Sequence, residues 1–96
     1  MEKPIYDYDN EKNLKLLLER GIGFEDIITI LDTKGYLAVI DNPNSIKYPN
    51  QQIYIVDVDG YAYLVPFEKQ SDKCVLKTIY PSRKITRLYR EKMTKR

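Results

Sequence analysis

Histidine is absent from the 96 residues of this chain, and it has a single cysteine, Cys74. Without histidine, the sequence lacks both the usual imidazole general base and the usual zinc ligand sets. One cysteine cannot form an internal disulfide. No apolar run approaches the ~20 residues that span a membrane, and residues 1–4 have no apolar signal region. We therefore expect a cytoplasmic protein that needs neither a metal nor another cofactor.

Common catalytic motifs are missing as well. The sequence contains no G-x-G-x-x-G or G-K-[ST] loop and no nucleophile elbow, which removes most enzyme classes. RNA cleavage is not excluded by the missing motifs, because the 2′-OH of RNA is itself the nucleophile. The enzyme has only to orient that hydroxyl, accept a proton and neutralise the charge of the transition state. Arginine and lysine can supply much of this chemistry.

Charge is unevenly distributed along the chain. Residues 74–96 carry eight Lys and Arg against one Glu, or +7, whereas residues 1–73 carry eight against thirteen acids, or −5. The net charge of +2 therefore conceals a dipole. A basic surface of this kind attracts polyanions and acidic proteins.

Hydrophobic periodicity predicts a short strand and two helices in the N-terminal third. A strand over residues 5–8 precedes a helix that Asp9 caps and Gly21 ends. A second helix is predicted over residues 24–31, where Glu25 lies in the first turn. The residues assigned to the buried face of the first helix are Leu14, Leu17 and Leu18.

Strand signals follow the second helix. Residues 36–40 predict one strand, and residues 53–58 and 61–67 predict a hairpin through the Asp59-Gly60 turn. A last strand is predicted over residues 75–80.

Pro81 is expected to break that strand, and Ser82 or a neighbour to cap a final helix. The apolar stripe assigned to this helix is Ile85, Leu88, Tyr89 and Met93. We therefore expect one α+β domain over residues 1–96. It has two N-terminal helices, an antiparallel sheet of about four strands in a meander and a C-terminal helix.

Basic residues gather where the last strand meets the final helix. Arg83 and Lys84 stand in the first helical turn, where the helix dipole disfavours cations, so they call for an anionic partner. Lys77 fits equally well as a phosphate ligand or as an edge lysine whose stem covers apolar surface. Tyrosines can stack on unpaired bases or donate protons, although strand tyrosines also suit sheet packing. The candidate catalytic residues are Lys77, Arg83 and Lys84, and the candidate RNA-binding residues are Lys47, Tyr48, Tyr63, Ser82, Arg87 and Arg90.

Several segments, in order, resemble the BrnT-type toxins of bacterial type II toxin–antitoxin modules. The opening Tyr8-Asp9-x-x-Lys12, then Leu17, then Arg20-Gly21-Ile22-x-Phe24-Glu25-Asp26 is similar to the family's W-D-x-x-K, N-L and H-G-V-x-F-E-E. The closing segment, residues 76–86, resembles its last strand followed by S-A-R-K-A-T and a helix. Residues 48–53 and 60–67 look like a related branch of small toxins.

This resemblance implies a RelE-like ribonuclease fold and a toxin that cleaves RNA without metal. It also implies neutralisation by a small antitoxin of ribbon-helix-helix type, in a hetero-oligomer with the toxin. Toxicity in that family is tied to basic residues that would fall on Lys77, Arg83 and Lys84. The family's opening histidine is replaced by Arg20, and the acid often found after its Arg-Lys pair is not matched at Arg87 or Leu88. The general base is therefore left open.

Two further hypotheses belong to other classes of protein. In one, the basic segment docks an acidic protein or a nucleic acid and breaks no bond. In the other, the chain is a regulatory subunit whose catalytic capacity was lost with the missing histidine. Both predict binding without turnover, whereas the toxin hypothesis predicts cleavage of RNA.

Overall fold

A computed structural model describes residues 4–93. These residues form an α+β fold in which a six-stranded sheet carries helices on both faces. The strands are β1 (Ile5–Asp7), β2 (Ala38–Asp41), β3 (Gln51–Val58), β4 (Tyr61–Gln70), β5 (Lys73–Leu76) and β6 (Tyr80–Pro81). The helices are α1 (Asn10–Arg20), α2 (Phe24–Thr33) and α3 (Arg83–Leu88), and a 3-10 helix follows at Arg90–Lys92.

The sheet contains the predicted meander and adds to it. Its order is β1-β5-β4-β3-β2, with β6 paired to β4, and β2 to β5 are antiparallel neighbours. The expected strand count of about four was too low, and the expected all-antiparallel pairing was wrong for β1, which runs parallel to β5. Periodicity could not reveal this pair, because it indicates which residues of a strand share a face and not which distant strand lies beside it.

The hairpin of β3 and β4 was correctly predicted from its turn. Asp59 and Gly60 both have positive φ, 53° and 86°, as a two-residue type I′ turn requires. Asp57 supports the turn, because its Oδ1 accepts a hydrogen bond from the Gly60 backbone N–H at 2.7 Å. The two longest strands are thereby held in register from Val58 opposite Tyr61 to Gln51 opposite Glu68.

Helix α1 has the predicted ends but not the predicted face. Asp9 accepts a hydrogen bond from the Glu11 backbone N–H, and Gly21 adopts φ 71° at the C-terminus. Leu16 is the buried leucine, at 2% exposure. The three leucines assigned to the core are exposed instead: Leu14 at 61%, Leu17 at 43% and Leu18 at 87%.

Asn13 explains this rotation of α1. Its Oδ1 accepts a hydrogen bond from the Phe24 backbone N–H at 2.8 Å and thereby satisfies the first turn of α2. Asn13 and Leu16 are three residues apart and share a helix face, so the side that reaches α2 also buries Leu16. Three consecutive leucines fit more than one helical register, and this polar contact selects one of them.

The two faces of the sheet have different covers. Helices α1 and α2 pack on one face over Tyr54, Val56 and Phe67, and Phe24 and Ile27 of α2 are fully buried there. The opposite face carries Ile55 and Ala62, against which α3 and Met93 pack. We call these the α1/α2 face and the α3 face.

The single strand predicted over residues 75–80 is interrupted. Leu76 lies opposite Phe67, and Tyr80 lies opposite Leu64, so four steps on one strand face three on β4. The extra residue is a bulge between β5 and β6. Pro81 was expected to break the strand, but it pairs with Tyr63. Proline can occupy this place because it lies at a short edge segment.

Helix α3 begins as predicted and is shorter than predicted. The Ser82 hydroxyl accepts a hydrogen bond from the Ile85 backbone N–H at 3.1 Å, which confirms the cap. Of the expected apolar stripe, Ile85 and Tyr89 are half-buried and Met93 is buried, but Leu88 is 69% exposed. The α-helix ends at Leu88 and a 3-10 helix follows, so α-helical spacing does not hold across the whole stripe.

Candidate functional site

The bulge between β5 and β6 shapes a cleft on the α3 face of the sheet. In a regular strand Lys77 and Thr78 would point to opposite faces. Both residues line the same cleft, because the extra residue breaks the alternation, while Ile79 is buried in the α1/α2 core. The cleft has a volume of about 340 Å³ and lies over Pro66. We call it the bulge cleft.

A row of polar side chains lies beside this cleft, from the residue after β2, across β3 and β4, to the residue after β5. Asn42 donates from Nδ2 to Gln51 Oε1 at 3.0 Å, and Gln51 Nε2 lies 3.5 Å from Glu68 Oε2. The other carboxylate oxygen of Glu68 lies 3.9 Å from Lys77 Nζ. Both partners of this ion pair keep about a third of their side-chain surface exposed, so water and solutes reach them. A pair this long and exposed contributes little stability and is easily opened by a ligand.

Tyr80 closes one side of the bulge cleft. It is half-buried, and burial raises the pKa of its phenol above the usual value of 10.0. The neutral form is favoured because an ionised phenolate would lose its hydration. Tyr80 therefore offers the cleft a hydroxyl that keeps its proton at neutral pH.

The loop between β2 and β3 supplies the opposite wall. Tyr48 lines the bulge cleft from this loop, and Lys47 Nζ lies 5.3 Å from the centre of its ring. A cation thus lies beside an aromatic ring at this wall, a combination suited to a phosphate and a stacked base.

The cations of α3 lie on the same face of the sheet but at its other end. Ser82 is held beside Ala62 through its backbone N–H, whereas Lys77 is held beside Pro66. Four strand residues separate these points, or about 13 Å along β4. Arg83 and Lys84 are therefore not side by side with Lys77.

The four candidate cations of α3 and the 3-10 helix are exposed. None of the ion pairs found within residues 4–93 involves them. They follow α3 and the 3-10 helix away from the cleft, and they are Arg83, Lys84, Arg87 and Arg90.

Two candidate RNA-binding residues have structural roles: one packs against the core and the other caps a helix. Tyr63 lies on the α1/α2 face, where it packs against the core and meets the Tyr61 ring edge-on at 6.2 Å between centroids. It cannot contact a ligand in the bulge cleft, because the sheet separates them. The Ser82 hydroxyl already accepts the capping hydrogen bond of α3.

Of the residues at the bulge cleft, the sequence predicted Tyr48 and Lys77 as candidates. It did not predict Gln51, Glu68, Thr78 or Tyr80. Gln51 and Glu68 lie opposite one another on β3 and β4, so the correctly predicted hairpin could have paired them. Tyr80 and Thr78 could not be found from alternation, because the bulge changes the face to which each residue points.

Metal-binding clusters and membrane-spanning helices are both absent from residues 4–93. Within residues 4–93 no three His, Cys, Asp or Glu side chains come together in a way that could hold a metal ion. No helix in the same range is long and apolar enough to cross a membrane.

Comparison of the whole chain with models of known protein families, with curated proteins and with solved structures found no match.

Proposed function

We propose that this protein is a metal-independent endoribonuclease that acts as the toxin of a type II toxin–antitoxin pair. The observation that supports it is the bulge cleft, which is lined by the ammonium group of Lys77 and the protonated phenol of Tyr80, with the Glu68 carboxylate 3.9 Å from Lys77. These are the three kinds of group that cleavage by the 2′-OH of RNA requires: a base, a cation and an acid.

Each group has a role in the proposed reaction. Glu68 accepts the proton of the 2′-OH as the 2′-oxygen attacks phosphorus. Lys77 leaves its 3.9 Å ion pair with Glu68 and binds the phosphate oxygens, which carry more negative charge in the transition state. Tyr80 donates its proton to the 5′-oxygen as the P–O5′ bond breaks. The products are a 2′,3′-cyclic phosphate and a free 5′-hydroxyl.

The cations of α3 extend the proposed binding surface beyond the reacting phosphate. About 13 Å along β4 separates their element from Lys77, so we assign them to phosphates of neighbouring nucleotides. Phosphate contacts of this kind position a nucleic acid without reading its sequence. Arg83 and Lys84 accordingly contribute to affinity for RNA rather than to the bond-breaking step.

The direct test is cleavage of a fluorescent single-stranded RNA in EDTA. Wild-type protein is expected to cut it, to leave 2′,3′-cyclic phosphate ends, and to leave the all-DNA version uncut. Lys77→Ala should lower kcat by about 100-fold or more, because it removes charge stabilisation from the transition state. Arg83→Ala should raise KM with a smaller effect on kcat.

Lys15→Ala is the matched control for these variants. Lys15 is an exposed lysine of α1, on the other side of the sheet, so the same charge is lost far from the bulge cleft. Intact RNA at high concentrations of wild-type protein would rule out a ribonuclease, as would equal activity of wild type and Lys77→Ala.

The toxin assignment has a separate test in living cells. Induced expression should arrest growth at low protein levels, because a catalyst acts substoichiometrically. Co-expression of the product of an adjacent gene, expected to be of ribbon-helix-helix type, should relieve the arrest. Growth unaffected by an active ribonuclease would contradict the toxin role and leave the enzymatic one standing.

The four exposed cations of α3 and the 3-10 helix favour a second candidate, a binding module without catalysis. None of them is among the residues that line the bulge cleft, and all four are exposed within residues 83–90. Such a module would bind RNA or an acidic protein tightly and leave the RNA uncut. The cleavage assay separates it from the first candidate.

A further inference from the structure

A second cleft adjoins the bulge cleft and shares three of its residues. It has a volume of about 350 Å³, and Asn42, Tyr48 and Gln51 line both spaces. Tyr48 therefore stands between them as a common wall. Both volumes fall near the lower end of the ~300–1,000 Å³ range of small-ligand sites. We call the second space the loop cleft, because the loop between β2 and β3 forms much of it.

The two clefts differ in charge. The bulge cleft has Lys77 among its lining residues. The loop cleft has no lysine or arginine among its described lining residues, and its one charged side chain is Asp41. A phosphate group is therefore attracted to the bulge cleft and repelled from the loop cleft. The loop cleft is suited to an uncharged group that carries hydrogen-bond donors.

Two side chains of the loop cleft are placed to read such a group together. Asp41 of β2 lies directly opposite Gln52 of β3, so their side chains are cross-strand neighbours on the α1/α2 side of the sheet. Asn42 and Gln51, on the α3 side, line the loop cleft as well, so this cleft spans the end of the two strands and joins both sides. Neither makes a side-chain hydrogen bond or ion pair within residues 4–93. By contrast, Asn42 and Gln51 are engaged with each other. The carboxylate of Asp41 accepts hydrogen bonds, and the amide of Gln52 can donate one.

We propose that the loop cleft is a recognition site for an unpaired guanine next to the phosphate held by Lys77. Guanine presents two adjacent donors, N1–H and the N2 amino group, followed by the acceptor O6. Asp41 accepts from the two donors, Gln52 donates to O6, and the Tyr48 ring stacks on the base. The other three bases lack a pair of adjacent donors and leave the carboxylate partly unpaired.

This inference rests on the proposed RNA-binding function and names its preferred substrate, single-stranded RNA that contains guanine. The test uses binding to RNA that cannot be cut, so it does not depend on catalysis. The probes are four fluorescein-labelled 2′-O-methyl hexamers, UUXUUU, in which X is G, A, C or U. Affinity is measured by fluorescence anisotropy at constant ionic strength.

Wild-type protein is expected to bind the X = G hexamer at least about 5-fold more tightly than the other three, the lower limit for one good bidentate contact. Asp41→Asn keeps the size of the side chain and should reduce the guanine advantage to about 2-fold or less. Tyr48→Ala should weaken all four hexamers by about 5-fold or more, because stacking is lost whatever the base.

Glu19→Gln is the matched control, because it removes one negative charge from exposed α1 and should preserve the guanine advantage. Equal affinity for the four hexamers would overturn guanine recognition and leave RNA binding intact. A guanine advantage that survives Asp41→Asn would overturn it too. Binding of none of the hexamers would overturn both this inference and the proposed function.

Discussion

At the scale of single residues, the environment of Tyr80 changes the chemistry of its phenol. It lines the bulge cleft and is half-buried, and this burial raises the pKa of its phenol. The neutral phenol can donate a proton and the phenolate cannot. The proposed acid is therefore competent at neutral pH and is lost as the pH rises through the raised pKa, above 10.0.

Tyr80→Phe tests this role through the pH dependence of cleavage. In the wild type, kcat/KM should stay high to about pH 10 and fall above it. The variant should lose about 100-fold or more in kcat, in the range typical of a general acid, and should lack that alkaline fall. Tyr61→Phe is the control, since Tyr61 lies on the α1/α2 face. A Tyr80→Phe enzyme with the activity and pH profile of the wild type would exclude the phenol as the acid.

At the scale of secondary-structure elements, local signals predicted ends and turns well. Asp9 and Ser82 cap their helices, Gly21 ends α1 and Asp59-Gly60 turns the hairpin, because each of these effects is complete within a few residues. The buried face of α1 was not predictable in this way. It depends on Asn13, whose partner Phe24 belongs to the next helix.

Helix α1 and helix α2 meet so closely at Gly23 that a side chain there would have to displace its neighbours. A Cβ placed there would lie 2.7 Å from Asn13 Oδ1 and 3.0 Å from the Leu17 side chain. Gly23→Ala should therefore lower the free energy of unfolding by about 1–3 kcal/mol, the usual cost of overpacking. Asn13→Ala should lower it by about 1 kcal/mol, because the Phe24 N–H loses its acceptor.

The two substitutions should not be additive, because they act on one contact. In the Asn13→Ala background the closest clash is gone, so Gly23→Ala should cost clearly less than it does alone. Urea unfolding of the four proteins of this double-mutant cycle measures the difference. Full additivity would show that the Asn13 contact does not set the distance between α1 and α2.

At the scale of the whole molecule, the charge dipole of the sequence becomes a difference between the faces of the sheet. Residues 5–33, which form β1, α1 and α2, carry seven acids and three bases. Residues 83–92, on the α3 face, carry five bases and one acid. The sequence predicted the dipole and a partner of negative charge. It did not predict the bulge cleft, because that space is assembled from strands distant in sequence and from one residue inserted between two of them.

This asymmetry predicts how salt affects RNA binding. The logarithm of affinity for single-stranded RNA falls with the logarithm of salt concentration by about 0.7 for each phosphate contacted. Replacing Arg87 and Arg90 together by glutamine should therefore reduce the slope by about 1.4. The same double change at Lys12 and Lys15 of α1 should leave the slope unaltered. A slope equal in both double variants would place the RNA away from α3.

The parallel pairing of β1 with β5 has a consequence for the order of folding. It joins residue 5 to residue 73, whereas β2 to β5 are linked by turns and a single loop. Contacts between distant residues close the largest loops and form slowly. During synthesis, β1 has no partner strand until β5 has been made, so the pairing of β1 with the sheet is delayed. We expect the meander to assemble first and β1 to complete the sheet.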